Sequence, residues 1–121
     1  PLTDQTRKMF DASTLSAMKP GAVLINVARG GLVVEQAVVD ALESGHLDSA
    51  GFDVTPEEPP AANSPLWTAP GLIITPHVGG QSGKRIDRMT DLFCENIIRY
   101  RSGRPLINSV DKKLGFPPPV S

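Results

Sequence analysis

The chain has 121 residues, 40% hydrophobic and 21% charged, with 12 Lys+Arg against 13 Asp+Glu for a formal net charge of −1. That length suits one domain or one piece of a larger one, and the composition is too apolar for a disordered chain. The balanced charge lacks the basic footprint of a nucleic-acid or membrane-surface binder, no apolar run approaches the ~18 residues of a membrane span, and no secretory signal is visible. Cys94 is the single cysteine. It rules out an internal disulfide and a cysteine-based zinc site, and it fits a reducing compartment. The chain opens on Pro1 rather than Met and reads as a piece of something longer.

In chain order, Phe10 to Met18 is a short helix-compatible stretch, with Asp11 or Ser13 as its cap and Pro20-Gly21 as its stop. Ala22 to Val27 is a continuous apolar run that reads as a strand buried on both faces of a parallel sheet. Arg29-Gly30-Gly31 ends it. Val34, Ala37, Val38, Ala41 and Leu42 follow helical spacing, so the pattern predicts an amphipathic helix from Glu35 to Ser44 with Gly45 as a left-handed cap. Ser49 to Val54 is a second strand. Six of the 12 prolines fall between Pro56 and Pro76, a stretch that must be mostly loop. Within it, Leu72 to Thr75 is a third strand. From Ser82 to Ser102 runs a long helix with Ile86, Met89, Phe93, Ile97 and Tyr100 on one stripe, ended by Gly103 and Pro105. The tail, ending in Pro117-Pro118-Pro119 and two further residues, reads as irregular.

This alternation is that of an α/β sheet with parallel strands. Three short strands make a poor sheet, since a mean sheet has roughly 5–6 strands. Part of this one is therefore expected in further chain or in a partner. Ligands of open α/β sheets bind beyond the C-terminal strand ends. Arg29, the carboxylates of Asp53 to Glu58, and His77 each follow a strand and would converge on one rim. Singly, each has a plainer reading as an ion-pair partner, a solvated carboxylate or a turn residue. Together they suffice for acid–base chemistry on an anionic substrate. His46 reads as surface, Cys94 as a small packing residue, and no metal site is expected.

The segments Pro1-Leu2-Thr3 with Thr6, Met18-Lys19-Pro20-Gly21-Ala22, Ile25-Asn26-Val27-Ala28-Arg29-Gly30, Gly51-Phe52-Asp53-Val54 with Glu58-Pro59, and Thr75-Pro76-His77-Val78-Gly79-Gly80 occur in that order. In this the chain resembles the D-isomer-specific 2-hydroxyacid dehydrogenases, which include glyoxylate and hydroxypyruvate reductases, phosphoglycerate dehydrogenases and D-lactate dehydrogenases. The likeness extends over about residues 1–102.

The resemblance implies a Rossmann-like doubly wound parallel sheet. The chain would hold only its C-terminal half, residues 1–102, with the helix from about 82 to 102 crossing toward a substrate domain and residues 103–121 as the tail belonging to that domain. It implies reversible NAD(P)-dependent hydride transfer between a 2-hydroxy acid and its 2-oxo acid, with glyoxylate/hydroxypyruvate or 3-phosphoglycerate-like substrates. Arg29 matches the family's substrate-binding arginine, Glu58 its catalytic carboxylate and His77 its acid–base histidine. Asp53 matches the aspartate that meets the nicotinamide carboxamide. Pro1, Thr6, Val27, Ala28, Gly79 and Gly80 match positions lining the NAD or NADP cofactor, as do Arg29 and His77. A cytoplasmic homodimer is implied, with no nucleic acid or membrane partner.

One departure stands out. The chain holds no G-x-G-x-x-G turn. The pyrophosphate site and the ribose-reading acidic residue are expected upstream of Pro1, in a missing N-terminal half, so the isolated chain is expected to be inactive. Two other classes compete: a non-catalytic NAD(H)-sensing corepressor-like module, and an inactive truncated fragment. Formate dehydrogenases are disfavoured because Glu58 stands where they carry glutamine.

Overall fold

The computed structural model describes residues 1–118. They form two compact units, divided between Gly79 and Gly80.

The first unit is built on a three-stranded parallel sheet of β1 (Ala22–Asn26), β2 (Leu47–Phe52) and β3 (Leu72–Ile74), in the order β1-β2-β3. Helix α1 (Ala12–Ser16) precedes β1, and helix α2 (Glu35–Glu43) makes the crossover to β2. Of the two expected caps for α1 the structure uses Asp11, whose Oδ1 accepts the Thr14 amide at 2.9 Å. That bond holds the Asp11 carboxyl below its ordinary range. Helix α2 buries Ala37, Val38, Val39 and Leu42 and ends before Gly45, whose φ of +72° is the left-handed cap expected of it. One cluster joins Leu15 of α1, Val38 and Leu42 of α2, Leu24 of β1, Ala50 and Phe52 of β2, and Leu66.

Strand β2 begins at Leu47, two residues before the expected Ser49, because Ala22 of β1 pairs with it. All three strands end one or two residues earlier than expected, leaving Val27, Asp53 and Thr75 just beyond them. The expectation of burial on both faces is not met in β1. Leu24 and Asn26 are buried, while Val23 and Ile25 are 54% and 69% exposed. The physical reason is that the buried cluster with α1 and α2 draws on one face of the sheet only. Ile73 of β3 is 70% exposed on the same grounds. Two short 3-10 turns, Gly30–Leu32 and Pro65–Trp67, escape the periodicity reading because three residues carry no period.

His46 is also not the free surface residue that its polar loop suggests. It is half-buried, and its Nε2 lies 2.9 Å from the Leu15 carbonyl at the end of α1.

The second unit is carried by helix α3 (Arg85–Arg101). Its apolar stripe is exposed along its length, from Ile86 through Met89 and Phe93 to Tyr100. Cys94, expected to pack, is exposed as well, since it lies on a helix that buries no residue. Within this unit Arg99 pairs with Glu95 at 2.7 Å, and the Asn96 side chain bonds both the amide and the carbonyl of Ile107. Gly103 at φ +66° closes the helix as expected. Among its described residues, up to 118, the tail is irregular apart from one bridge between Asp111 and Phe116. Pro119 of the terminal proline run lies outside the described residues.

An open sheet face and unpaired strand edges favour association between chains. The 121-residue chain by itself is therefore predicted to self-associate, with a sedimentation coefficient that rises with concentration. A concentration-independent monomer would show that these surfaces need no cover.

Candidate active site

The parallel register pairs Asn26 with Phe52 and Phe52 with Ile74. The residues that follow therefore share one edge of the sheet. The Asp53 amide donates to the Asn26 carbonyl and the Thr75 amide to the Phe52 carbonyl, both at 2.9 Å. The backbone ladder thus continues one residue past the strands and delivers three loops to one place.

The first loop carries Arg29. Asn26 is buried, and its side chain organises the turn: its Nδ2 donates to the Arg29 carbonyl at 3.0 Å and its Oδ1 accepts the Ala28 amide at 3.1 Å. Arg29 itself is exposed, with Nη1 on the Ala28 carbonyl at 2.6 Å. Gly30, next to it, is buried against the second loop. A Cβ there would stand 2.0 Å from the Thr55 carbonyl carbon and oxygen. Only glycine permits that approach.

The second loop carries Glu58. Its Oε1 accepts the Thr55 amide at 3.2 Å, and its Oε2 meets His77 Nδ1 at 2.7 Å. The bond from His77 lowers the Glu58 pKa most; the Thr55 amide and the charges of His77 and Arg29 act in the same direction, against a partial desolvation. An ionised carboxylate only accepts, so His77 Nδ1 carries the hydrogen and Nε2 is the nitrogen left for proton exchange.

The third loop carries His77 at a φ of +53°, a left-handed conformation rare outside glycine. It is anchored to Asp53, which is buried. Asp53 Oδ1 accepts the Thr75 hydroxyl at 2.5 Å and the Val78 amide at 2.9 Å, while Oδ2 accepts the Gly79 amide at 2.7 Å. These three donors, Thr75 foremost, hold the Asp53 carboxyl below its ordinary range. A cleft of about 450 Å³ borders the pair, walled by Pro59, Pro60, Trp67 and Ile74 beside Glu58 and His77.

The structure thus brings Asp53, Glu58 and His77 together, with the Arg29 loop packed against the Glu58 loop through Gly30. Val27 is exposed, and a Cβ added to Gly79 would lie 3.9 Å from its Cβ and 2.8 Å from Asp53 Oδ2. Val27, Gly79 and Asp53 therefore form an apolar ledge edged by a carboxylate. Oδ2 takes one N–H from the chain and has capacity for another. That chemistry fits a flat ring bearing a carboxamide, which is the nicotinamide end of NAD or NADP. Pro1 and Thr6 lie in an N-terminal turn, closed by the Thr6 hydroxyl on the Pro1 carbonyl at 2.9 Å. Leu2 of that turn packs on Gly31. Ala28 is exposed beside Arg29, and Gly80 begins the second unit. Asn26, Thr55 and Thr75 carry no role in the sequence patterns, and Gly30 only that of a strand stop, although Asn26, Gly30 and Thr75 stand inside the family-like motifs.

Residues 1–79 match the family described as D-isomer specific 2-hydroxyacid dehydrogenase, NAD binding domain. The chain is 43% identical over 107 residues to a glycerate dehydrogenase of Methylorubrum extorquens, an alignment covering 87% of this chain and 34% of that protein. It is 36% identical over 114 residues to glyoxylate/hydroxypyruvate reductase B of Serratia proteamaculans, covering 94% and 35%. Among solved structures, a D-isomer specific 2-hydroxyacid dehydrogenase from Xanthobacter autotrophicus Py2, in complex with NADPH and MES, aligns with a TM-score of 0.86 at 40% identity over 96% of this chain and 47% of that one. An NADPH-dependent glyoxylate/hydroxypyruvate reductase from Sinorhizobium meliloti, in complex with NADP and sulfate, aligns with a TM-score of 0.86 at 36% identity, covering 96% and 38%. The parallel α/β sheet expected from the alternation and the Rossmann-like fold implied by the resemblance are both borne out. The chain spans about a third of the length of these curated relatives.

Two predictions follow from the geometry. Gly30→Ala should unfold the first unit or lower its denaturation midpoint strongly, because backbone at 2.0 Å cannot yield as a side chain can. Gly51→Ala, whose nearest neighbour is 4.0 Å away, is the tolerated control. Equal midpoints would show that the two loops separate freely. The second prediction concerns pH. A carboxylate whose pKa is lowered on folding contributes stability that is complete above its unfolded value and lost as pH falls through the folded one. Protection of the Val78 and Gly79 amides should therefore persist through the ordinary carboxylate range, near pH 4, and disappear only below it. Hydrogen exchange, corrected for its intrinsic pH dependence, measures this. Loss of protection already above pH 5 would contradict it.

Proposed function

The chain belongs to the D-isomer-specific 2-hydroxyacid dehydrogenase family, and from that premise we propose that it supplies the acid–base half of an NAD(P)-dependent oxidoreductase interconverting 2-oxo and 2-hydroxy acids. The observation that carries this reading is the 2.7 Å bond between His77 Nδ1 and Glu58 at the strand ends. Substrates of the glyoxylate and hydroxypyruvate type agree with the named relatives. On the same reading residues 1–102 are the C-terminal part of a cofactor domain and residues 103–121 a tail of the substrate domain. The assembly would be a cytoplasmic homodimer whose remaining residues carry the pyrophosphate turn.

The Val27–Gly79 ledge and Asp53 would hold the nicotinamide end of the cofactor. Bound there, NADH or NADPH supplies the hydride that C2 of the oxo acid accepts. Arg29, released from the Ala28 carbonyl, would hold the substrate carboxylate in a two-pronged grip and draw electron density toward the 2-oxo oxygen. Protonated His77 gives its Nε2 proton to that oxygen, so an N–H bond breaks as an O–H bond forms. The ring is left neutral, with its Nδ1 hydrogen still on Glu58. In the oxidative direction Nε2 takes the proton back. Glu58, bonded to Nδ1, fixes which nitrogen faces the substrate.

Three substitutions in the full-length gene product test this, assayed with glyoxylate and hydroxypyruvate. Arg29→Lys should cost roughly 10–100-fold in kcat/KM, the equivalent of one charge-assisted hydrogen bond. His77→Ala should cost roughly 10²–10⁴-fold. Glu58→Gln removes the carboxylate that requires the hydrogen on Nδ1, so Nε2 is no longer held toward the substrate and kcat should fall about 10²-fold. Neighbouring Glu57 serves as the control and should be near neutral. Unchanged kinetics in Arg29→Lys or in Glu58→Gln would remove the assigned roles.

A further inference from the structure

We propose that Thr75 is a positioning residue for proton transfer: its hydroxyl fixes the Asp53 carboxylate, which holds the turn that presents His77 to Glu58. The inference rests on the function proposed above.

Thr75 follows β3 directly, and its amide is committed to the Phe52 carbonyl, so its backbone is set by the sheet. Two side-chain branches on Cβ limit its χ1, which suits it to hold a hydroxyl in one direction. That direction is Asp53 Oδ1, at 2.5 Å. The same oxygen accepts the Val78 amide, so the hydroxyl and the turn share one acceptor. The Val78 and Gly79 amides come to this carboxylate from the turn itself, and the hydroxyl is the tie that comes from the end of β3, so it fixes the carboxylate relative to the sheet.

The need for such an anchor lies in the loop between Thr75 and Gly79. Pro76 has no amide to donate. The His77 amide donates to the Thr75 carbonyl at 3.0 Å, a one-residue turn around Pro76. His77 then sits at φ +53°, where a non-glycine residue stays only when its surroundings hold it. Those surroundings are Thr75 before it, and Val78 and Gly79 after it, all on Asp53. The ring at the centre must meet Glu58 at 2.7 Å, and both side chains are solvent-accessible and able to drift apart. The Thr75 hydroxyl thus acts on the His77 ring through Asp53, while the Thr75 carbonyl holds the His77 amide.

The test compares Thr75→Ser, which keeps the hydroxyl, with Thr75→Val, which keeps the shape and loses it, in the full-length protein. One readout is the downfield proton resonance of His77 Nδ1–H on Glu58, assigned by its loss in His77→Gln. The other is kcat and KM for 2-oxo-acid reduction. Thr75→Val should lose the resonance and about 10²-fold in kcat, with KM for the oxo acid little changed because Arg29 is untouched. Thr75→Ser should restore both. A Thr75→Val protein that keeps the resonance and wild-type kcat would overturn the proposal. So would one that loses its folded circular dichroism, because the hydroxyl would then be a fold requirement instead. If the wild type turns over no 2-oxo acid while the resonance still follows the hydroxyl, the proposed function fails and the positioning role stands.

Discussion

The parallel register that sets Asn26, Phe52 and Ile74 in one row is what brings Val27, Asp53 and Thr75 side by side at the strand ends. A carboxylate buried at that point is unfavourable unless its lone pairs are taken up. The chain supplies a hydroxyl and two amides. Satisfying Asp53 and shaping the His77 loop are therefore the same event, and the left-handed histidine is held by the burial of its neighbour's partner.

A second constraint joins the other two loops. Gly30 lets the Arg29 turn lie directly on the Thr55 carbonyl, and the Thr55 amide in turn holds Glu58. Arginine and glutamate are thus fixed through backbone, close enough for the arginine charge to lower the glutamate pKa. The Glu58–His77 pair is 39% and 46% exposed on its two sides. Such an accessible pair contributes little to stability. Its geometry leaves one ring nitrogen paired and the other available.

Much of this is legible in the sequence, and the parts that are not share a cause. Apolar runs and turn residues place β1, β3, α2 and α3 within one to three residues of their observed ends. The convergence of Asp53, Glu58 and His77 follows from their standing after parallel strands. Which face of β1 is covered is not legible, because Val23 and Ile25 are as apolar as Leu24. Nor are the ties of His46 to Leu15 and of Thr75 to Asp53, which join residues 31 and 22 positions apart and leave no local pattern. The contact that requires glycine at position 30 is likewise invisible in one dimension, since Gly30-Gly31 reads as an ordinary turn. The stripe on α3 is legible as apolar but carries no indication that it stays exposed among the described residues.

The most direct test of the account is a crystal structure of the full-length protein with reduced cofactor and oxamate, an unreactive 2-oxo-acid analogue. In that complex His77 Nε2 should lie within about 2.6–3.2 Å of the oxygen that mimics the 2-oxo group. Nδ1 should still be bonded to Glu58, and the Arg29 guanidinium should have moved from the Ala28 carbonyl to the oxamate carboxylate. A His77 ring turned away from the analogue, or bonded to Glu58 through Nε2 instead, would contradict it.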